Sequence, residues 1–200
     1  MRLVITGTPG TGKTKIAPLF ARAFEAELIA LSGFVKRHGL STKKTGEKIV
    51  DIKRLRRKLL HELQRKKNYI VEGHLACEFM IPADFIVVCR CNPVILRKRL
   101  LSRRYKKKKV EENLLAEVLD YCSQRVDSEY NKNYFEIDTS KTTPEQAAKK
   151  IILAIKNKKR KIDKVDYSKT FVLQFSTGKA FMWPFCLLPL LGQKPQGKSP

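Results

Sequence analysis

The stretch Gly7-Thr8-Pro9-Gly10-Thr11-Gly12-Lys13-Thr14 constrains this chain more than any other. It fits the spacing G-x-x-x-x-G-K-[ST], and its setting is specific: the branched run Leu3-Val4-Ile5 precedes it, and a helical pattern running to about Phe24 follows. Glycines let the backbone turn tightly, so successive N–H groups point inward at an anion beside a helix N-terminus. In such a loop Lys13 reaches the β- and γ-phosphates of a nucleoside triphosphate, and the Thr14 hydroxyl is placed to ligate Mg²⁺. A turn-rich loop without chemistry would require neither the strand before it nor the helix after it.

The rest of the chain suits such a site. Leu28-Ile29-Ala30-Leu31, Tyr69-Ile70-Val71, Phe85-Ile86-Val87-Val88 and Tyr134-Phe135-Glu136-Ile137 read as further strands. Helical patterns lie between them. Asp51 is a candidate cap for one carrying Leu55, Leu59, Leu60 and Leu63, Asn92-Pro93 starts a second, and Thr143-Pro144-Glu145 opens a last one with Ala147, Ile151, Ile152 and Ile155. Alternating strands and helices predict an α/β fold of the P-loop NTPase type, three layers (α/β/α) around a five-stranded parallel sheet. The domain is expected to span residues 1–156 and to be followed by a basic linker and C-terminal appendage, 157–200. In the appendage, apolar runs around Ser176-Thr177-Gly178-Lys179 read as a hairpin, and Gly192–Pro200 has the composition of a disordered tail.

A GTPase would carry an N-K-x-D base-reading motif, and Asn131-Lys132-Asn133-Tyr134 lacks the aspartate. A small kinase fits better, because phosphoryl transfer needs cations around the spread equatorial oxygens. Arg90, Arg97, Arg99, Arg103, Arg104 and Arg125 are the candidates, with a solvated basic helix as the alternative for any one of them. A second acidic element is expected at a strand's carboxyl end. Glu72, at the tip of Tyr69-Ile70-Val71-Glu72-Gly73-His74, could orient a magnesium-bound water or be purely structural. His74 could touch phosphate or move a proton.

Charge adds a partner class. Lys and Arg number 42 against 19 Asp and Glu, a net charge of +23. Residues 53–67 hold eight of these cations, 97–109 hold nine and 156–169 hold seven, so 24 of the 42 lie in three segments. One triphosphate needs only a few, and the surplus suits an RNA backbone read by shape and charge. A solvated lysine-rich surface is the alternative. Five cysteines without a CxxC pair argue against a zinc ribbon or a disulfide scaffold, so a reducing cytoplasm is expected. Phe181–Leu191 is broken by two prolines and falls short of the roughly 20 apolar residues of a spanning helix, so no membrane partner is expected.

Gly7–Thr14, Val71-Glu72-Gly73-His74, Val87-Val88-Cys89-Arg90, Arg99-Leu100 and Arg103-Arg104-Tyr105 together resemble, in order and spacing, the archaeal adenylate kinase family related to the nuclear adenylate kinase isoenzyme six. The resemblance covers about residues 1–156. It implies a broad-specificity nucleoside-monophosphate kinase taking ATP and AMP, with ATPase activity, that assists small-subunit rRNA maturation alongside a uS11-type ribosomal protein. By position, ATP would contact Gly10, Gly12, Lys13, Thr14, Lys15 and Arg103. Lys13, Glu72, His74 and Arg99 would be catalytic, with Thr14 and Glu72 at the metal. The monophosphate segment would be about 30–50 and the lid about 102–112. This chain departs from the family pattern at Arg104, where R-G-Y carries glycine, at Lys15, where a small hydroxyl residue is usual, and in lacking an aspartate near Gly33.

Overall fold

The computed structural model describes residues 1–44, 47–130, 134–157 and 165–167. Strands β1 (Arg2–Thr6), β2 (Glu27–Ala30), β5 (Tyr69–Glu72), β6 (Phe85–Arg90) and β7 (Phe135–Asp138) form one sheet in the order β2-β5-β1-β6-β7, and every pairing in it is parallel. This is the expected five-stranded parallel sheet. β1 occupies its centre, so the loop that leaves β1 opens between two neighbours at the carboxyl edge.

Strand periodicity sends alternate side chains to opposite faces. Leu3, Ile5, Ile70, Val87 and Ile137 meet α1 (Lys13–Ala23) and α7 (Pro144–Lys156) through Ile16, Phe20, Ala147 and Ile151. Val4, Val71, Ile86 and Val88 meet the other layer: α2 (Leu31–Arg37), α3 (Ile52–Leu63) and α6 (Tyr121–Tyr130), through Phe34, Leu55, Leu59 and Val126. Because both faces are covered, the central strands carry continuous apolar runs, Leu3–Ile5, Tyr69–Val71 and Phe85–Cys89, rather than an alternating pattern. A smaller core joins α4 (Pro93–Ser102) to α5 (Lys107–Val118) through Leu96, Leu100, Val110 and Leu114.

Helix starts follow their local chemistry. The Asp51 carboxylate accepts from the Arg54 amide at 2.9 Å, and the Asn92 side chain accepts from the Val94 amide at 3.0 Å with Pro93 in the first turn. Thr143 and Gln146 form a reciprocal capping box at α7. Leu31 is a correction: it begins α2 rather than ending β2. Two features were not read from sequence. Ser41–Lys44 (β3) and Glu47–Val50 (β4) pair as an antiparallel hairpin, and α5 and α6 meet at a corner where Asp120 has φ +52°. The predicted hairpin of 170–183 and the predicted tail lie outside the described residues. Val165–Tyr167, assigned from sequence to the linker, pack back on the domain, and Tyr167 is buried.

Candidate active site

The loop between β1 and α1 needs glycine at two points for different reasons. Gly10 has φ +94°, and a Cβ there would sit 2.7 Å from Leu96 Cδ1 and 3.0 Å from Leu100 Cδ2, so its absence lets α4 close on the loop. Gly12 has φ +98° in the left-handed region at the N-terminus of α1, which frees the following amides to face an anion. The loop is braced internally: Thr11 donates from Oγ1 to the Thr8 carbonyl at 2.8 Å. Lys13 is buried, and its Nζ donates to the carbonyls of Gly7 (2.7 Å) and Thr8 (2.9 Å). A cation is thus stored within the loop.

Glu72 ends β5, whose Val71 and Glu72 lie beside Val4 and Ile5 of β1. That register carries the carboxylate to the loop, where Glu72 Oε1 accepts from Thr14 Oγ1 at 3.2 Å although the residues lie 58 positions apart in sequence. Glu72 is 6 % exposed. One hydroxyl and one carboxylate, both hard oxygen donors, suit Mg²⁺, which takes few protein ligands and completes its shell with phosphate oxygens and water.

His74 follows at the rim of the cleft. Its carbonyl accepts from Thr6 Oγ1 at 3.3 Å and from Cys77 Sγ at 3.1 Å. His74 is exposed as a residue, yet desolvation by its surroundings, then Lys13, then Lys109 of α5 oppose its charge and lower its pKa to about 4. The ring is therefore neutral near pH 7, able to donate one hydrogen bond but not to supply a positive charge.

The arginines divide by environment. Arg99 donates to Thr139 Oγ1 (3.1 Å) and to the Thr139 carbonyl (2.7 Å). Arg103 and Arg104 are exposed at the start of the segment expected from sequence to be a lid, and Arg104 has φ +59° where the family pattern has glycine. Arg97 pairs with Glu111 at 2.6 Å, and Arg125 with Glu129 at 2.8 Å. Arg90 is a correction to the pool of mobile cations. It is 1 % exposed and ion-paired to Glu117, Asp120 and Glu136, so it cannot swing toward a phosphate. Burial alone would lower its pKa, but Glu117 and Asp120 outweigh that and raise it. Lys15 is exposed on the first turn of α1.

Sequence reasoning missed Thr139. Its hydroxyl donates to the Thr11 carbonyl at 2.7 Å, and it is the residue nearest a Cβ built on Gly12. Its place just past β7, at the same carboxyl edge as the loop, was the available signal. Lys109 was hidden in the run Lys106–Lys109, where four like residues give no reason to choose one.

A protein-family profile described as "AAA domain" matches residues 3–120. A protein of Methanocaldococcus jannaschii named "Putative adenylate kinase" is 37% identical over 175 residues, 86% of this chain and 95% of that one. A Pyrococcus abyssi protein of the same name is also 37% identical, over 86% of this chain and 93% of that one. The chain belongs to the archaeal adenylate kinase family. Its fold is that of P-loop kinases generally. Shikimate kinase from Acinetobacter baumannii superposes with a TM-score of 0.61 at 19% identity, over 79% of this chain and 94% of that one. A deoxyadenosine kinase from M. mycoides with bound dATP gives 0.53 at 14% identity, over 78% of this chain and 100% of that one. Among the described residues no helix of this family member is long and apolar enough to cross a membrane. Four of its cysteines, Cys77, Cys89, Cys91 and Cys122, are buried free thiols.

Proposed function

We propose that this protein is an ATP-dependent nucleoside-monophosphate kinase that passes the γ-phosphoryl group of ATP to AMP, hydrolyses ATP slowly, and assists maturation of the small ribosomal subunit in the cytoplasm. The observation that carries the reading is the Thr14–Glu72 contact beside Lys13, which assembles hydroxyl, carboxylate and ammonium groups at one helix N-terminus. The names of the archaeal relatives support the same chemistry.

In this reading the amides opening α1 hold the phosphate chain, at Gly10, Gly12, Thr14 and Lys15. Lys13 leaves the Gly7 and Thr8 carbonyls to meet the β- and γ-oxygens. Thr14 and Glu72 would hold Mg²⁺, which neutralises phosphate charge. Glu72 keeps the Thr14 hydroxyl oriented, and neutral His74 donates a hydrogen bond at the rim. Arg99, anchored by Thr139, lends positive charge to the transferring group, and Arg103 closes over the nucleotide with the lid. Residues 30–50, comprising α2 and the β3–β4 hairpin, form the acceptor side.

Lys13→Ala is expected to lower ATP turnover by at least about 100-fold, the range for removing one preorganised donor. A coupled assay of ADP release with ATP alone and with ATP plus AMP checks the acceptor: release that AMP does not accelerate refutes the kinase. A second reading, an ATPase switch on ribosome assembly, draws support from Arg97 and Arg99. Both are held by neighbours in the chain, Glu111 and Thr139, rather than left free for an acceptor.

The RNA side of the proposal rests on charge. His38, Arg57, Lys58, His61 and Arg65 surround a hollow of about 500 Å³ with Glu62 as its one acid. Small-subunit rRNA and a uS11-type ribosomal protein are the proposed partners. RNA retention on filters should fall steeply from low to high salt, and a salt-independent signal refutes this part.

A further inference from the structure

Tyr167 lies 11 residues beyond the end of α7, yet it is 7 % exposed. Its ring covers Arg90, with the guanidinium carbon 5.5 Å from the ring centroid, and its hydroxyl lies 3.5 Å from Ser140 Oγ. Two residues earlier the Val165 amide donates to Glu136 Oε2 at 3.3 Å. The segment therefore rests on the meeting point of β6, β7 and the loop that follows β7.

That meeting point holds one wall of the phosphate loop. Ser140 Oγ accepts from the Asn92 amide at 2.7 Å, which ties the loop to the start of α4. The Arg90 carbonyl accepts from the Thr139 amide at 2.9 Å and lies 2.9 Å from Thr139 Oγ1, whose one proton it shares with the Thr11 carbonyl. Thr139 in turn donates to the Thr11 carbonyl and receives both bonds from Arg99. From Tyr167 to the backbone of the phosphate loop there are only two residues, Ser140 and Thr139 by one route or Arg90 and Thr139 by the other. Nothing in the transfer chemistry requires an aromatic ring at this place. A desolvated guanidinium, however, is held more firmly under a ring face than under an aliphatic side chain.

We propose that Tyr167 is a positioning residue of the nucleotide site: its ring pins Arg90, and through Arg90 it holds Thr139 against Thr11 of the phosphate loop. This rests on the reading of that loop as the Mg–ATP site. Tyr167 touches neither substrate nor the reacting atoms. Its effect is on how well the loop amides are preorganised, so it acts on ATP and not on the acceptor.

The test uses the full chain and calorimetric titration of Mg–ATP and of AMP. Tyr167→Leu, which keeps apolar bulk and removes the ring, is expected to weaken Mg–ATP binding about three- to tenfold, because only part of the roughly 30-fold worth of a desolvated cation–π contact reaches the loop. AMP binding should stay within about twofold of wild type, and Tyr167→Phe should restore Mg–ATP binding to the same margin because the ring, not the hydroxyl, is the working part. Amide hydrogen exchange at Thr139 and Ser140 should quicken in Tyr167→Leu. Should that variant not fold, Tyr167→Met fills the same space without a ring and carries the same expectation. Unchanged Mg–ATP affinity beside a lowered melting temperature overturns the proposal, as does an equal loss for both nucleotides. Failure of the nucleotide reading is separable, because wild-type protein would then bind no Mg–ATP before any variant is made.

Discussion

Replacing Arg90 by methionine tests whether the buried ion cluster, rather than the sheet alone, holds the α5–α6 corner on the domain. The Arg90 side chain is 2 % exposed and that of Glu117, its partner at 2.9 Å, is 1 % exposed. Asp120 is 37 % exposed and Glu136 14 %, so water can still reach those two carboxylates once the guanidinium is gone. Glu117 cannot be rescued in this way. Removing one partner of a buried pair leaves an uncompensated charge and costs about 3–5 kcal/mol. The exposed Asp120 pair adds at most about 1 kcal/mol. Against a total stability of about 5–15 kcal/mol, that is a large fraction. At about 2–4 °C per kcal/mol for a domain of this size, the melting temperature should fall by roughly 6–24 °C. The assay is urea unfolding followed by far-UV circular dichroism, for wild type, Arg90→Met, Glu117→Gln and the double variant. Glu117→Gln keeps an acceptor for the Cys91 amide, now 2.9 Å from Glu117 Oε1, so the double variant should recover much of the loss. A loss below about 1 kcal/mol in Arg90→Met, or no recovery in the double variant, would refute the claim that an unpaired Glu117 is the cause.

Three further outcomes are expected. Gly10→Ala should destabilise by about 1–2 kcal/mol from its left-handed backbone alone, with more from the Cβ driven into Leu96 and Leu100, and equilibrium urea unfolding reads it. Arg104→Gly should leave stability unchanged or raise it by up to about 1 kcal/mol, since relief at φ +59° is offset by the added freedom of the unfolded chain; a loss of that size would show that the Arg104 side chain makes stabilising contacts. For His74 the folded pKa, about 4, lies below the unfolded value, so the unfolded chain binds more protons between about pH 4 and 6.5 and stability rises with pH across that window. His74→Gln should flatten this rise in a melting-temperature profile, and an unchanged slope would mean that His74 is not desolvated in the cleft.

The phosphate loop, the five strands and the caps at Asp51, Asn92 and Thr143 were legible without coordinates because each depends on residues within a few positions of one another. Spacing alone dictates that Gly7–Thr14 turns and that Leu55, Leu59 and Leu63 share a helix face. Glu72 was legible for a related reason: a carboxylate at a strand tip is placed by strand length. The fate of the arginines was not legible, because the groups that hold Arg90 and Arg99 lie 27 or more positions away in the sequence. Their separate roles arise only when β6 brings Arg90 under α5 and α6 while α4 carries Arg99 to Thr139. Thr139 and Tyr167 were silent for the same cause, since each is defined by partners more than 25 positions away. The amino-acid order thus determined by itself where the glycine loop forms and where the helices are capped. Only the packed sheet decided which cations are locked, because desolvation and pairing belong to neighbours in space and carry no local periodicity.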